Sequence, residues 1–330
     1  MQPFVARPRA TGDDNGTAAA APVWPAALEP LHPFLSDPDV TDIFVNGATG
    51  LFVDDGHGAR QVPGWRRSEE QVRALAVTLI GLGGRHIDDA TPCVDVRLQH
   101  GVRVHAVLPP VAAGGTAISV RVPPRQDVDL AGLRARGMVD EVTEARLRRM
   151  VADRRNLLVT GAGGSGKTTL LGALLSIAPK TERIVTIEDV AELRIVHPHH
   201  VALEARQPNL EGAGGIGLPR LVREALRMRP DRLVVGECRG EEIRDLLSAL
   251  NTGHDGGAGT LHANGLDEVP ARLEALGALA GLEPPAVARQ VASAIHHVVH
   301  LERDAQGVRR VVGIGRPAVG REGLRVEVDP

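Results

Sequence analysis

Residues 40–122 carry the alternating pattern that is typical of half-buried strands. In VTDIFVN, LFVD and CVDVRLQHGVRVHAV, apolar residues alternate with polar ones: Val94 and Val96 do so before the HG dipeptide, and Val104 and Ala106 after it. A period of two predicts strands with one buried face, and the glycine turn between two such runs predicts a hairpin.

One helix is predicted within this region, over 68–82. Ser68 followed by two glutamates is a capping start, and Gly83 and Gly84 stop the helix. Another strand, over 116–122, ends at a pair of prolines. Residues 26–122 therefore predict a smaller α+β domain built on antiparallel strands.

The pattern changes after residue 137. Short apolar runs (NLLVT, RIVTI, RLVVG and GTLHA) alternate with stretches of helical periodicity. Helices are predicted over 143–153, 167–176, 219–228, 241–250, 267–279 and 285–296. Apolar strands that alternate with helices are typical of a parallel sheet covered on both faces, so residues 138–330 predict an α/β domain with a mainly parallel sheet.

Two segments lack such patterns. Residues 1–25 are rich in Gly, Ala, Pro and Asp without periodicity, a composition that predicts a disordered tail. Residues 123–137 begin with paired prolines and a polar run, PPRQDVD, and are predicted to be the linker between the two domains.

Length and composition narrow the class of protein. A chain of 330 residues is long enough for two ordinary domains, and it has no uninterrupted apolar run of the ~18 residues that a membrane-spanning helix needs. The N-terminus lacks the pattern of a secretion signal, and two cysteines, Cys93 and Cys238, do not make a disulfide scaffold. We therefore expect a cytoplasmic protein.

Charge and aromatic content argue against direct nucleic-acid binding. The formal net charge is −3, and aromatic residues make up 2% of the chain, with no tyrosine. Nucleic-acid-binding proteins typically carry a basic patch and aromatic side chains on which bases stack. We expect no direct contact with nucleic acid.

The strongest chemical signal is the octapeptide GAGGSGKT at residues 161–168. It matches the pattern G-x-x-x-x-G-K-[ST] between an apolar strand and a helix, which is the context that a phosphate-binding loop requires. Glycines let successive backbone N–H groups point at phosphate oxygens, and the helix N-terminus adds partial positive charge. The sequence therefore predicts binding of ATP with Mg²⁺, with the lysine at the phosphates and Thr168 at the metal.

Lysine usage supports this interpretation. Of the 38 Lys and Arg residues only two, Lys167 and Lys180, are lysines. The flexible point charge of lysine and the planar fork of arginine are not interchangeable at a phosphate-binding loop. The retention of lysine at position 167 is therefore consistent with a phosphate contact, with a plain glycine turn as the alternative.

Acidic residues follow two of the predicted parallel strands. RIVTIED ends in Glu188 and Asp189, and RLVVGE ends in Glu237. Open α/β sheets bind ligands at the carboxyl ends of their strands, so these acids are candidates to meet the metal and to orient the attacking water. The sequence alone does not say which acid has which role.

Histidines form the last group of candidates. His254 and His262 flank the predicted strand GTLHA among glycines and are candidates for contacts with phosphate oxygens. Two further clusters, VHPHH and HHVVH, have spacings that a metal site requires, but no cysteine lies near them. We expect no structural metal there.

Taken in order, these motifs identify a resemblance. The glycine loop, IEDVAEL, the stretch from LEARQPNLEG to RLVVGECRGEE, and NTGHDGGAGTLHAN resemble the motor ATPases of type II and type IV secretion and type IV pilus systems, closest to the tight-adherence (Flp) pilus assembly branch. The resemblance covers about residues 35–315. It implies a C-terminal RecA-like P-loop domain preceded by the smaller α+β domain.

The resemblance also implies roles for individual residues. Glu188 would belong to the acidic box and Glu237 to the Walker B strand, both as catalytic acids, with Glu237 also at Mg²⁺. An arginine of the N-terminal domain would approach the γ-phosphate, which makes Arg121 the best candidate, with Arg103, Arg206 and Arg239 as weaker candidates. The implied nucleotide-binding residues are Gly161, Gly163, Gly164, Ser165, Gly166, Lys167, Thr168, Thr169, His254, His262, Arg206 and Arg239.

The implied function is a cytoplasmic motor ATPase, peripherally associated with the cytoplasmic membrane. It would form a homo-oligomer, in this family a hexamer, and would act on an inner-membrane platform protein of a pilus or secretion machine. Two alternatives share the phosphate loop: a nucleic-acid-dependent RecA-like motor, and a nucleotide-gated scaffold that binds ATP without hydrolysing it.

Overall fold

The computed structural model describes residues 24–123, 128–206, 214–304, 306–321 and 323–329. The chain divides into two compact units, Met1–Pro123 and Pro124–Pro330. The tail expected over 1–25 lies, apart from its last two residues, outside the described part of the chain.

The first unit is built on an antiparallel sheet. Its six strands lie in the order β3-β2-β1-β6-β5-β4, and every neighbouring pair is antiparallel. The strands are β1 (Asp42–Asn46), β2 (Leu51–Asp54), β3 (Arg60–Gln61), β4 (Cys93–Arg97), β5 (Arg103–Val107) and β6 (Ala117–Arg121). The expected hairpin is β4 with β5, in which Val94 pairs with Ala106 and Val96 with Val104, all four buried.

Two α-helices of the first unit, α1 (His32–Ser36) and α2 (Glu69–Leu82), accompany this sheet. The buried face of α2, which includes Leu79 and Ile80, belongs to the same apolar core as the strands. Ser68 caps α2 through a reciprocal pair of hydrogen bonds with Gln71, so the glutamine completes the capping box. The sequence predicted this start correctly because the cap is a local interaction.

The second unit contains an eight-stranded sheet in the order β14-β13-β12-β7-β11-β10-β8-β9. The six strands from β12 to β9 are parallel, and β13 and β14 continue the sheet as antiparallel strands. The strands are β7 (Leu157–Gly161), β8 (Ile184–Glu188), β9 (His200–Glu204), β10 (Arg232–Val235), β11 (Ala258–His262), β12 (His297–Arg303), β13 (Arg309–Gly320) and β14 (Gly323–Val328). The expected fold class, an α/β domain with a mainly parallel sheet preceded by a smaller α+β domain, is confirmed.

Seven α-helices belong to the described part of the second unit. They are α3 (Leu130–Ala135), α4 (Glu141–Ala152), α5 (Lys167–Ser176), α6 (Leu218–Leu226), α7 (Glu242–Leu250), α8 (Val269–Leu279) and α9 (Pro284–Ala294). The strands β7, β8 and β10 are buried along their whole length. Strands buried on both faces read as continuous apolar runs, which is why their positions were predictable.

The structure differs from the sequence expectation at the linker. Residues 123–137 were expected to connect the domains without a core of their own, but α3 lies within that range and buries Leu130 and Leu133 in the core of the second unit. Asp129 caps this helix by accepting a hydrogen bond from the Gly132 N–H (2.8 Å). Two apolar residues three apart are too weak a pattern to predict a helix of six residues. Residues 124–127 lie outside the described part.

Strand β9 was also missed by the sequence interpretation. It lies at the edge of the sheet, and its residues are half-buried or exposed rather than uniformly apolar. Among the residues that the structure describes, no helix is long and apolar enough to cross a membrane.

Arg232 at the start of β10 makes a testable contribution to stability. Its side chain is 2% exposed, is paired with Glu182, and donates to the Val151 carbonyl (2.8 Å). Arg232→Met should lower the free energy of unfolding by about 2 to 4 kcal/mol, because it removes the donor that the Val151 and Gly256 carbonyls bind and leaves Arg154 as the remaining partner of Glu182. Urea denaturation measures this change.

The control is Arg223→Met, which breaks the Arg223–Asp245 pair, in which the arginine is exposed. This variant should lose about 1 kcal/mol or less, because water screens such pairs. Equal losses in the two variants would contradict the assignment of Arg232 as a buried structural cation.

Candidate functional site

The loop between β7 and α5 adopts a backbone conformation that requires glycine at two positions. Gly166, immediately before α5, has φ +96°, and a Cβ at this position would lie 2.9 Å from the Met138 side chain. A Cβ on Gly161 would lie 2.3 Å from the Leu301 carbonyl oxygen. The loop therefore excludes side chains at both ends, and α5 begins with its N-terminus facing the loop.

Lys167 is buried at the first position of α5, with 7% of its surface exposed. Its Nζ donates to the carbonyls of Gly161 (2.9 Å) and Ala162 (2.8 Å) and lies 3.4 Å from His262 Nδ1. Burial lowers the pKa of the Lys167 ammonium, although the nearby Glu237 carboxylate opposes this shift. The lysine is thus a positioned cation at the end of β7.

A series of polar contacts extends from His262 along the carboxyl ends of the strands. His262 Nε2 lies 2.9 Å from Glu237 Oε1, and the Arg239 guanidinium binds the other oxygen of Glu237 at 2.5 Å. Arg239 also lies 3.9 Å from Asp189. This contact set is consistent with a neutral His262 that accepts from Lys167 at Nδ1 and donates to Glu237 at Nε2.

The pKa shifts agree with that protonation state. Burial and then the positive charge of Lys167 lower the pKa of His262. Burial opposes ionisation of Glu237, but its hydrogen bond from Arg239 and the charges of Arg239, His262 and Lys167 outweigh burial and lower its pKa. Glu237 is therefore an ionised acid beside Lys167.

Glu188 has a different environment. Its side chain is buried at the end of β8, and its Oε1 accepts hydrogen bonds from the backbone N–H groups of Glu192 (2.9 Å) and Leu193 (3.0 Å). Burial raises the pKa of Glu188 to about 7 despite these hydrogen bonds. A Cβ on Gly236 would lie 2.4 Å from Glu188 Cγ, so the glycine makes room for this carboxyl.

Three contacts complete the site and were not predicted. Arg309 on β13 donates from Nε to the Gly164 carbonyl (2.8 Å) and so holds the tip of the glycine loop. Glu242 accepts from the N–H groups of Arg239 (2.5 Å) and Gly240 (2.8 Å), which fixes the loop after β10. Glu192 lies close enough to Lys167 for its charge to raise the lysine's pKa.

The sequence offered a signal for two of these, since Glu192 lies in the motif IEDVAEL. Glu242 follows ECRGE at the start of a predicted helix, where an acid commonly caps the preceding loop. Arg309 comes from a strand 142 positions beyond Lys167, which no local pattern connects to the glycine loop.

The remaining residues of the loop and the first turn of α5 lie where the sequence placed them. Thr168 and Thr169 are half-buried in that turn, and a Cβ on Gly163 would lie 3.8 Å from the His262 ring. The Ser165 hydroxyl is buried and makes no hydrogen bond with a described residue.

Two predicted nucleotide-binding residues do not join this group. His254 lies before β11, whereas His262 ends it, so roughly 13 Å of strand separates their positions, and His254 Nδ1 bonds to the Ala249 carbonyl (3.2 Å) instead. Arg206 follows β9, four strands from β7 or roughly 19 Å away, and donates to Gly214 O (2.6 Å). The sequence did not indicate at which end of β11 His254 would lie, or how many strands would separate Arg206 from β7.

Arg121 and Arg103 lie on the sheet of the first unit. They are direct cross-strand partners, and Arg97 is the partner of Arg103 on the next strand, so three arginines form a row across β4, β5 and β6. Direct partners in an antiparallel sheet share a face, and like charges there repel each other. Asp42 on β1 is the partner of Arg121 on its other side, so the row ends beside a carboxylate.

Comparisons with known proteins give consistent results. Residues 26–312 match the family model described as "Type II/IV secretion system protein". A Mycobacterium tuberculosis protein described as a conjugal transfer protein is 50% identical over 299 residues, 88% of this chain and 85% of the relative. The type IV secretion system protein PtlH homolog of Bordetella bronchiseptica is 35% identical over 322 residues, 86% of this chain and 92% of the relative.

Solved structures share the fold. The Legionella pneumophila ATPase DotB aligns with a TM-score of 0.60 at 20% identity, over 92% of this chain and 84% of the DotB chain. The pilus retraction motor PilT with bound ADP aligns with a TM-score of 0.61 at 19% identity, over 92% of this chain and 83% of the PilT chain.

The raised pKa of Glu188 makes stability depend on pH. A carboxyl with a higher pKa in the folded state binds its proton more tightly there than in the unfolded state. The free energy of unfolding therefore falls as the pH rises from 4.5, the ordinary pKa of a glutamate, to about 7, the pKa of Glu188 in the folded protein. Between about pH 4.5 and pH 8, wild type should lose up to about 3 kcal/mol relative to Glu188→Gln, which has no proton to lose.

Urea denaturation of both proteins across this range measures the difference. The control is Glu283→Gln, which replaces an exposed glutamate before α9 and should not change the pH dependence. Parallel stability curves for wild type and Glu188→Gln would contradict the assigned titration.

Proposed function

Because the chain belongs to the Type II/IV secretion system protein family, we propose that it is a motor ATPase that hydrolyses ATP to ADP and phosphate. One observation carries this proposal: the ammonium of Lys167, at the end of a glycine loop, is connected through His262 to the ionised carboxylate of Glu237. A phosphate contact and an acid thus lie in one small site.

The family membership confirms the resemblance that the motifs indicated, and the second unit has the expected RecA-like fold. The placement of this protein in the tight-adherence pilus branch stays a prediction. The relatives described above carry the names conjugal transfer protein and type IV secretion system protein, which favours export or conjugal transfer as the work that this ATPase powers.

The residues present fit a magnesium-bound triphosphate. The loop requires glycine at positions 161 and 166, the buried Ser165 hydroxyl is without a described partner, and the Lys167 ammonium lies at the first turn of α5. Backbone N–H groups and this cation are the donors that phosphate oxygens require. Thr168 and Glu237 would hold Mg²⁺, which supplies charge neutralisation to the phosphates when bound.

We assign different roles to the acids. Glu237 is ionised and contacts His262 and Arg239, so it acts next to the phosphates. Glu188 binds backbone N–H groups and positions the segment that carries Glu192, whose charge reaches Lys167. Glu188 therefore positions this segment, and Glu237 is the acid that we place nearest the phosphates.

The arginine row of the first unit is the candidate source of additional positive charge. Arg121 is exposed at the end of β6, with Arg103 beside it. We propose that Arg121 contributes to stabilising the γ-phosphate in the closed state. ATP can drive closure only as far as it binds the closed state better than the open one.

We further propose a homo-oligomer, a hexamer by family resemblance, that works in the cytoplasm at the membrane surface on an inner-membrane platform protein. The nucleic-acid-dependent alternative shares the phosphate loop but gains no observation of its own, because the net charge is −3 and aromatic side chains are scarce.

Lys167→Ala should lower the rate of ATP hydrolysis by at least about a hundredfold, because it removes the cation that binds the phosphates. Release of inorganic phosphate measures the rate, and circular dichroism checks that the protein remains folded. Lys180→Ala removes the only other lysine, which is exposed, and should retain full activity. Hydrolysis that is unchanged in Lys167→Ala would reject the site.

Glu237→Gln separates a motor from a scaffold that binds ATP without turnover. This variant should still bind ATP but should hydrolyse it at least about a hundredfold more slowly, because the ionised carboxylate is lost. Binding of a fluorescent ATP analogue and phosphate release measure the two properties. A wild-type protein that binds ATP and releases no phosphate would support the scaffold instead.

A further inference from the structure

A second polar cleft lies at the amino-terminal ends of the strands, whereas the glycine loop lies at their carboxyl ends. It is found where β7 and β12 begin, since His297 is the parallel partner of Leu157, whereas the glycine loop follows the end of β7. The cleft consists of two adjoining hollows of about 260 and 220 Å³. We call it the basic cleft; its charged and titratable cationic residues are Arg146, Arg149, Arg155, His296, His297 and Arg316.

The charge of the basic cleft is strongly one-sided. Four arginines line it, whereas Asp153 is the only carboxylate among its described lining residues. The side chains of Arg149 and Arg155 are exposed and make no hydrogen bond or ion pair with a described residue. Unneutralised guanidinium groups in a recess favour binding of an oxyanion, which their planar forks contact at two points.

Both histidines of the cleft are fixed in place. The N–H groups of His296 (3.0 Å) and His297 (3.2 Å) donate to the Asn156 carbonyl, and His296 Nδ1 accepts from the Asn156 N–H (2.8 Å). In the neutral imidazole of His296, Nε2 therefore carries the proton and is a donor. Burial and then the charge of Arg155 lower the pKa of His296, which favours this neutral form.

His297 is the buried residue among the cationic groups of the basic cleft. Its side chain is 10% exposed, and its Nδ1 makes no hydrogen bond with a described residue. The nearest carboxylate oxygen, of Asp329, lies 3.6 Å away, beyond hydrogen-bonding distance. His297 Nδ1 therefore faces the chain's own Asp329, and the groups of the cleft that a ligand can contact are the exposed arginines.

The chain's own Asp329 indicates which oxyanion fits. Its carboxylate is paired with Arg146 and lies 3.3 Å from Arg316, while its backbone N–H binds the Ile314 carbonyl (2.8 Å). A carboxylate that projects from an extended backbone is therefore already accommodated beside the cleft. Arg149 and Arg155 provide two further guanidinium groups that Asp329 does not contact.

We propose that the basic cleft binds the carboxylate side chains of an acidic peptide segment of a partner protein. Its cationic groups line a recess that includes a buried histidine, a shape that a side chain can enter. Anionic membranes are instead bound by clusters of basic residues that project from a surface or an amphipathic helix. The proposal does not depend on nucleotide chemistry, since the cleft and the glycine loop lie at opposite ends of the strands.

Fluorescence anisotropy of the full chain with a short fluorescein-labelled peptide of alternating Asp and Gly tests the proposal. The peptide should bind wild type, and Arg155→Gln and Arg149→Gln should each weaken binding by about tenfold, because each removes one charge-assisted contact. Neither substitution breaks a contact made by the native side chain, so both variants should fold and hydrolyse ATP as wild type does.

Arg220→Gln is the matched control, since it neutralises an exposed arginine on α6, away from the cleft. Its affinity for the peptide should equal that of wild type. Equal binding by Arg155→Gln and Arg220→Gln would overturn the proposal, and so would equal binding of a peptide with Asn in place of Asp. Vesicles of phosphatidylglycerol that bind in an Arg155-dependent manner, without peptide binding, would assign the cleft to lipid instead.

Discussion

The candidate site depends on the burial of one ammonium group. Lys167 lies at the junction of β7 and α5, where its Nζ is held by two backbone carbonyls and a histidine. The loop reaches this geometry because glycines at positions 161 and 166 leave space that a Cβ would fill. The cation is therefore placed by the backbone, and the acids around it are placed by the sheet.

Parallel strands explain how distant residues reach the same site. The carboxyl ends of β7, β11 and β10 are adjacent, so His262 and Glu237 arrive beside Lys167 from positions 95 and 70 residues further along the chain. The amino-terminal ends of the strands collect a different set of groups, including the basic cleft. The two ends of the strands thus carry separate groups of side chains, with the residues proposed to bind phosphates at one end and the basic cleft at the other.

Local signals in the sequence were predictive where the physical cause was local. The glycine loop, the bounds of α5 and the Ser68 cap depend on neighbouring residues, and each was placed correctly. Helix α3 and strand β9 were missed, because a short helix and a half-exposed edge strand leave weak periodicity.

Contacts between distant elements could not be predicted in this way. The sequence treated His254 and His262 alike, although a strand separates them, and it gave no indication that Arg309 would hold the glycine loop. The residue pattern by itself did not distinguish Glu188 from Glu237, and the resemblance alone placed Glu237 at Mg²⁺. Their environments differ in the structure: Glu188 binds two backbone N–H groups, whereas Glu237 lies among three cationic or polar side chains.

The central claim, that Lys167 and the glycine loop bind the phosphates of a nucleotide, is tested most directly by isothermal titration calorimetry. Wild-type protein should bind a slowly hydrolysed ATP analogue with magnesium at one site per chain, and Lys167→Ala should give no measurable heat. Folded wild-type protein that gives no heat, or a Lys167→Ala variant that binds as tightly as wild type, would contradict the account.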